Sequence, residues 1–466
     1  MLWLLASLII SISRNVPDRE SIMMKPEIVK KVREAGIVGA GGAGFPTHVK
    51  LDADVERVLG NGASCEPLLM SDPFLMEREA AAILRGLTLV MESTSAEKGT
   101  ICLKGKHERA MNAVRKSVEK GPFKNIDVFE LGDFYPAGDE QILVFDVMGR
   151  VVPEGGIPLQ VGAVVSNVES LLNIARAVDD GRPVTERYLT VTGEVNNPLV
   201  MKVPVGTSIG EVIEAAGGPT VDDFKVVIGG PMMGAVTADL FTPVTKTTSG
   251  VIVLPSDHNV IAGKINDPER VMRITKMVCC QCSRCTDLCP RHLLGHSLEP
   301  HKIMRQLGSQ TLFSEDILED ALICCECGIC EKYACPMMIS PREVNAQVKR
   351  ELLQEGTKRA PKRNEYQPSP FRGVRKIPTR RLVERLQIGQ YEDHPPFMEK
   401  DVEVQEVRIP LKQHLGTPAK PVVKVGDHVD KGSLIGEIPE NALGARVHAS
   451  IEGRVISVDD AIVIRQ

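Results

Sequence analysis

Aromatic side chains are scarce in this chain of 466 residues: one Trp, five Tyr and eleven Phe make up 4% of it. Surfaces that stack nucleic-acid bases interleave aromatic with basic residues, so that scarcity argues against one here. A formal charge of −5 likewise gives no electrostatic reason to expect nucleic acid. Long apolar runs are also missing. The most hydrophobic stretch, Met1 to Ile12, is too short to span a bilayer and has no basic residue before it, so it makes neither a convincing signal nor an anchor. Residues 1–24 read as a non-functional upstream extension with the functional start at Met23 or Met24; a membrane anchor and a packaging peptide are the alternatives. A packaging helix should carry a single apolar stripe, whereas this segment is apolar all round. Cysteine is nearly absent outside one region, because only Cys65 and Cys102 lie beyond the span Cys279 to Cys335, which holds the other ten. Disulfide frameworks belong to short secreted chains; clustered cysteines in a chain this long point to metal ligation by reduced thiols in the cytoplasm.

What is present fills several domains, since one hydrophobic core rarely serves more than about 250–300 residues. Ile28, Val29, Val32 and Ala35 recur at helical spacing until Gly36, and a glycine-rich loop follows. From there short apolar strands such as 99–103 alternate with helical stretches such as His107 to Glu119, which predicts an α/β domain over 25–183. Strands at 189–193 and 224–228 around a helix at Ile209 to Ala216 predict a small mixed unit over 184–257. Residues 258–356 read as helical around the cysteines, with helix starts at Asp267-Pro268 and a capping box at Ser340 to Glu343. Between Lys358 and Arg385 ten Lys or Arg stand against two Glu, with four prolines, so 357–401 reads as a basic linker, solvated or docked on an acidic partner. Short strands separated by Gly and Pro make 402–466 an all-β module.

The cysteines carry the sharpest chemistry. Cys279-x2-Cys282-x2-Cys285-x3-Cys289-Pro290 is the bacterial ferredoxin run, and Cys324-x2-Cys327-x2-Cys330-x4-Cys335-Pro336 repeats it with one extra residue. In two-cluster ferredoxins the cysteine before proline ligates the other cubane. Cys279, Cys282, Cys285 and Cys335 are therefore assigned to one [4Fe–4S] cluster, and Cys324, Cys327, Cys330 and Cys289 to the second. Paired zinc sites are the plainer alternative, and two complete three-plus-one runs weigh against them. Cys280 and Cys325, each one residue past a first ligand, read as buried non-ligands. Two cubanes relay single electrons, so a converter from electron pairs is needed upstream, and a flavin is the usual one.

Gly39-Ala40-Gly41-Gly42-Ala43-Gly44 contains GxGxxG, but a helix rather than a strand precedes it, so it is a weak Rossmann signal. Its glycines still let backbone N–H groups approach a phosphate or a flat ring. The loop with Phe45-Pro46-Thr47 and Lys50, then Asn61 to Pro67, Tyr135 to Glu140 and Val164 to Glu169, together resemble the NADH- and FMN-binding subunit of respiratory complex I, in the same order. That resemblance implies that Gly39, Gly41, Gly42, Gly44, Lys50, Asn61, Ser64, Glu66 and Asn167 hold FMN while Phe45, Asp139 and Glu140 line the nicotinamide side. Ser64 departs from the acidic residue usual there, and Ser166 from a second Asn.

From Ile37 onward, stretches such as Gly229 to Gly234, Pro243 to Thr248 and Cys289 to His296 resemble the cobalamin reductases of propanediol-utilisation microcompartments, relatives of the C subunit of the Rnf electron-transport complex. In the Rnf subunit the lipoyl-like module precedes the flavin domain, whereas here it follows. The resemblance implies a multidomain α/β fold: a complex I flavin-subunit-like α/β domain, a β-grasp domain, a helical two-cluster ferredoxin-like domain and a C-terminal all-β barrel-sandwich module. It further implies electron transfer from NADH through FMN and two [4Fe–4S] clusters to cobalamin, in a bacterial microcompartment pathway. A corrinoid-binding adenosyltransferase and a microcompartment shell protein are the partners it suggests. An Rnf-like electron conduit without its own substrate site is the rival reading. His292, His296 and His301 read as ordinary neighbours of a cluster rather than cobalt ligands, since the cobalamin-binding DxHxxG pattern is missing. The C-terminal module lacks a Met-Lys-Met swinging-arm site, which makes its role structural or docking.

Overall fold

A computed structural model describes residues 25–264, 267–308, 314–363, 365–392, 395–398 and 401–466; the segment read as an upstream extension, 1–24, lies outside them. Helix α1 (Lys25–Glu34) buries Ile28 and Val32, and the chain turns out of it at Gly36, whose φ of +65° suits glycine. After the glycine loop and α2 (Thr47–Leu51) comes a parallel sheet of β1 (Arg57–Gly62), β2 (Lys98–Lys104), β3 (Ile126–Leu131) and, beyond a short strand β4 (Phe134–Tyr135), β5 (Ala163–Asn167). Its order is β3-β2-β1-β5. A parallel sheet is covered on both faces, which is why β2 is buried from Gly99 to Lys104 instead of alternating. Helices α3 (Ser71–Arg78), α4 (Ala80–Ser93), α5 (Glu108–Lys120), α6 (Glu140–Met148) and α7 (Val168–Asp180) supply the cover. At the crossing of α4 and α7 a Cβ on Gly86 would overlap the Leu171 carbonyl, so that close approach demands glycine.

The second unit is a β-grasp. Strands β6 (Glu186–Gly193), β7 (Leu199–Pro204), β8 (Phe224–Ile228), β9 (Ala235–Thr237) and β10 (Gly250–Pro255) form a sheet ordered β7-β6-β10-β8-β9, with β6 and β10 parallel at its centre. Helix α8 (Ile209–Ala215) packs on it behind a reciprocal cap between Ser208 and Glu211. The cysteine region is a set of short helices, among them Pro268–Val278, Arg284–Asp287, Pro300–Gly308 and Pro341–Gln354. Asp267 caps the first of these, as the sequence suggests. At the last, the capping box does not form: Ser340 makes no side-chain cap, and Glu343 is drawn into ion pairs with Arg342 and Arg350.

The segment 357–401 has the composition of a solvated linker, yet it straps the units together. Arg359, its side chain buried, pairs with Glu154 at 2.7 Å and with Asp320 at 2.8 Å, while Arg372 and Lys376 both reach Asp146. Strand β11 (Ile377–Pro378) pairs with β4, the helix Thr379–Leu386 buries Leu382, Val383 and Leu386, and Phe397 stacks on Phe74 at 4.3 Å. The acids that neutralise this strap lie far from it in sequence, so its own composition hides them. The C-terminal module closes from β12 (Glu406–Pro410), β13 (Lys420–Pro421), β14 (His428–Val429), β15 (Leu434–Glu437), β16 (Val447–His448), β17 (Gly453–Val458) and β18 (Ala461–Arg465), in two sheets ordered β12-β18-β17-β14 and β13-β15-β16. No helix among the described residues is long and apolar enough to cross a membrane.

Candidate flavin cavity and cysteine centres

The glycine loop is a clip. Val38 bridges Pro46, the Gly39 N–H donates to the Phe45 carbonyl at 2.9 Å, and positive φ at Gly42 and Gly44 folds the chain back. Ala40 is pinned from both sides: its N–H donates to Ser170 Oγ at 2.9 Å, and its carbonyl accepts from Arg187 Nη2 at 3.0 Å. The N–H groups of Gly41, Gly42 and Ala43 have no protein acceptor among the described residues. They border a cavity of about 550 Å³, a size within the usual range for cofactor pockets. Three unpartnered amides on a glycine turn are the donor set that suits a phosphate or a flavin ring.

The residues singled out from sequence converge on this cavity with one exception. Gly39, Gly41, Gly42, Phe45, Lys50, Asn61, Ser64, Glu66, Asp139, Glu140 and Asn167 all line it, but Gly44 does not. A Cβ on Gly44 would instead press on Thr247 and on the backbone of His414, so this glycine serves the contact with the other two modules. Several of the lining side chains are already engaged. Lys50 Nζ donates to Glu140 Oε1 at 3.1 Å and to the Val165 carbonyl at 3.2 Å. Asn61 holds the Gly138 carbonyl at 2.9 Å, and the Ser64 hydroxyl turns inward to the Leu69 carbonyl. Asn167 caps α7 while its amide donates to Asp72 at 3.0 Å.

Glu66 and Asp139, expected beside flavin and nicotinamide, do more than line the space. Glu66 accepts from the N–H groups of Met232 and Met233, at 2.8 and 3.0 Å, and so grips the loop Gly229 to Gly234 of the β-grasp unit. Burial pushes its carboxyl pKa upward, and those amides oppose the rise. Asp139 caps α6 and forms a two-bond pair with Arg291 at 2.6 and 2.8 Å, joining the flavin domain to the residue two places after Cys289.

Sequence reasoning missed other parts of the wall. Asp72 is raised to about 6, by burial first, with Arg187 opposing the rise and Glu169 adding to it. Arg187 joins Glu169, the Thr248 carbonyl and Ala40. Leu415 and Met233 bring the C-terminal and β-grasp modules to the same space. None of these has a local pattern; only Arg291, beside the Cys-Pro of a ferredoxin run, could have been suspected.

The cysteines stand in two groups. Cys279, Cys282, Cys285 and Cys335 share the lining of one small cavity. Cys289 neighbours Cys325 and Cys324, and Cys327 and Cys330 neighbour Cys289. Burial is the first cause at Cys285, pushed up to about 12, a cost that coordination to iron would remove by holding the sulfur as thiolate. The donor set fits cubanes better than zinc. Four thiolates 2.3 Å from a zinc ion stand roughly 3.8 Å apart, whereas among the described residues no three cysteine sulfurs lie within 4.8 Å of one another; the one such trio of potential ligands is the exposed His428, Asp430 and Glu452. Cys280, expected to be buried, is exposed, because it follows Cys279 onto the open side of the group; Cys325 is half-buried. His296 is spent on the Val152 carbonyl at 2.9 Å and His301 on Thr286 at 2.7 Å.

The group containing Cys327 adjoins the large cavity. Cys325 and Cys327 are part of its wall, and the Tyr135 hydroxyl, from the turn that bears Asp139, donates to the Cys327 carbonyl at 2.8 Å. Comparison with known proteins matches this arrangement unit by unit: residues 32–176 match the Nuo51 FMN-binding domain, 188–236 the SLBB domain, 278–340 the 4Fe-4S dicluster domain and 396–466 the RnfC barrel sandwich hybrid domain. The cobalamin reductase PduS of Salmonella typhimurium is 43% identical over 454 residues, covering 97% of this chain and 99% of that protein. The chain belongs to the PduS cobalamin reductase family. A second PduS, from Citrobacter freundii, is 44% identical over 93% of the chain and 95% of its own length. The Na(+)-translocating ferredoxin:NAD(+) oxidoreductase complex of Acetobacterium woodii contains a more distant relative, its C subunit, which is 39% identical over 57% of the chain and 58% of its own length. The chain is thus an oxidoreductase with an FMN-binding domain and a [4Fe–4S] domain.

Proposed function

We propose that the protein takes electrons from NADH at the 550 Å³ cavity and passes them through two [4Fe–4S] clusters to cobalamin, reducing cob(II)alamin to cob(I)alamin in a microcompartment pathway, with a corrinoid-binding adenosyltransferase presenting the acceptor. The observation that carries this reading is the shared wall: the glycine clip and Cys325 and Cys327 line the same cavity. FMN, when bound, supplies the conversion between a two-electron hydride donor and one-electron carriers.

The chain's own residues account for the rest. The amides of Gly41, Gly42 and Ala43 and the ammonium of Lys50 offer donors and positive charge to the cofactor. Glu140 shares Lys50, so a bound cofactor would compete with that carboxylate for one cation. Phe45, within 5.7 Å of Lys50, gives a face on which a nicotinamide ring can lie. The Asp139–Arg291 pair and the Tyr135 bond fix the cavity against the Cys324, Cys327, Cys330 and Cys289 group, which keeps the electron path short and rigid. That group would receive the electron first and the Cys279 group second.

The test is anaerobic reconstitution with iron, sulfide and FMN, followed by NADH titration and a cob(II)alamin reduction assay. The expected result is flavin bleaching, then cluster bleaching, then appearance of the cob(I)alamin band. A protein that bleaches its clusters with NADH yet reduces cobalamin neither free nor on the adenosyltransferase is a conduit of the Rnf type instead.

A further inference from the structure

The two cysteine groups meet solvent differently. Cys289, Cys324, Cys327 and Cys330 are buried, and theirs is the group beside the large cavity. In the other group Cys282 is exposed and Cys279 half-buried, with Cys280 exposed next to them. One end of the relay is therefore sealed against the flavin cavity and the other opens to the surface.

The surface around the open end has an unusual composition. Met277 is 80% exposed, Met338 75% and Met337 43%, and Met337 lines the same small cavity as Cys279 and Cys282. A cluster of solvated thioethers is a poor way to finish a monomer, but it suits a contact that must adapt to a partner and release it. The charge is also one-sided. Arg270, Arg273 and Lys276 on the helix Pro268–Val278, Arg284 beside Cys285, and Arg305 on Pro300–Gly308 are all exposed. No carboxylate pairs with any of them among the described residues. Of the acids on or beside these helices, Asp287 is held by Arg375 and Glu299 by Lys302, while Asp267, which caps its helix, Glu269 and, on the adjoining helix Glu315–Leu318, Glu315 stand against five cations. In a chain whose formal charge is −5, this face is a local positive field.

We propose that the methionine and arginine face around Cys282 is the docking site for an acidic protein that carries a one-electron acceptor. This rests on the electron-relay reading above and names the partner's chemistry. Each NADH oxidised to NAD⁺ and H⁺ yields two electrons, so two docked partners each take one, and no covalent bond forms or breaks at the face. The cations steer and orient the acidic surface, while the methionines supply the contact that brings the partner's centre against the open cluster.

The experiment uses the full chain reconstituted with iron, sulfide and FMN, an acidic [2Fe–2S] ferredoxin as probe and basic cytochrome c as counter-probe. Calorimetric titration with oxidised ferredoxin at low and high salt compares the unmodified protein with an Arg273→Glu, Lys276→Glu, Arg284→Glu variant. The expected result is that the variant binds at least tenfold more weakly at low salt and loses the salt dependence shown by the unmodified protein. A Met277→Ser, Met338→Ser variant, which leaves every charge in place, should weaken binding while keeping the salt dependence. Iron content equal to that of the unmodified protein qualifies either variant as folded. Equal affinity for ferredoxin in all three proteins, or tighter binding of cytochrome c than of ferredoxin, overturns the proposal. Bleaching of the clusters by NADH, measured without any partner, is read separately: its failure in the unmodified protein sinks the relay reading, while the binding comparison still decides what the face recognises.

Discussion

Gly41 borders the cavity, so a larger side chain there competes with a cofactor for space. A Cβ there would lie 3.5 Å from the Asn167 amide, and the branches of a valine would extend into the cavity that the clip borders. Gly41→Val should therefore abolish flavin retention on a desalting column while leaving iron content unchanged, because the cysteine groups fold in a different unit. Dithionite should still bleach the clusters and NADH should not. Retention of FMN with full NADH-driven bleaching would place the entry site elsewhere. Arg359 is a second decisive residue. Its side chain is 4% exposed and neutralises Glu154 and Asp320, themselves 0% and 9% exposed. Removing one partner of a buried ionic network strands the others, at a cost of about 3–5 kcal/mol when no neighbour compensates. Lys362 also reaches Asp320, so the low end applies and Arg359→Ala should lose about 3 kcal/mol in urea unfolding. A change of a few tenths would mean that the strap is held by its apolar contacts alone.

At the scale of elements, the joints between units are where charge is hidden. Helix α2 brings His48 against the C-terminal module, which contributes His414 near it and His448. Burial holds His48 and His414 down to about 4 and His448 to about 3, and Arg33, Lys246 and Arg446 add to the effect. Buried Lys246 crosses the joint, donating to the Gly36 carbonyl at 2.8 Å and the Arg446 carbonyl at 2.7 Å. Histidines whose folded pKa lies below the ordinary 6.5 contribute stability that is complete above that pH and is lost as pH falls towards the folded value. Hydrogen exchange at about pH 7.5 and about pH 5, on either side of the ordinary histidine value, should show β15 to β18 losing protection at the lower pH while β1 to β3 keep theirs. His414→Gln with His448→Gln should flatten that difference. This joint also marks where the sequence ceases to be legible. The ferredoxin runs and the glycine clip are local patterns in which spacing alone states the chemistry, and the strand and helix periodicities located both central sheets. Asp72, Arg187 and Leu415 meet only because distant strands and loops are stacked, and the basic composition of 357–401 held no sign of the buried acids waiting for it.

For the whole molecule, two cubanes require about eight irons and eight sulfides per chain after anaerobic purification. Stoichiometric zinc without broad visible absorption would remove the relay. Deleting Met1 to Ile22 should leave flavin, iron and NADH oxidation intact, because every functional residue discussed lies downstream; loss of membrane association alone would revive the anchor reading. The position of Leu415 has a different kind of consequence. It walls the cavity from a module made several hundred residues after the clip, and the Leu415 N–H reaches back to the Gly44 carbonyl at 3.3 Å. A cavity with that wall is complete only once the C-terminal module has folded against the clip, so the cofactor's surroundings depend on a unit that carries none of the clip's glycines.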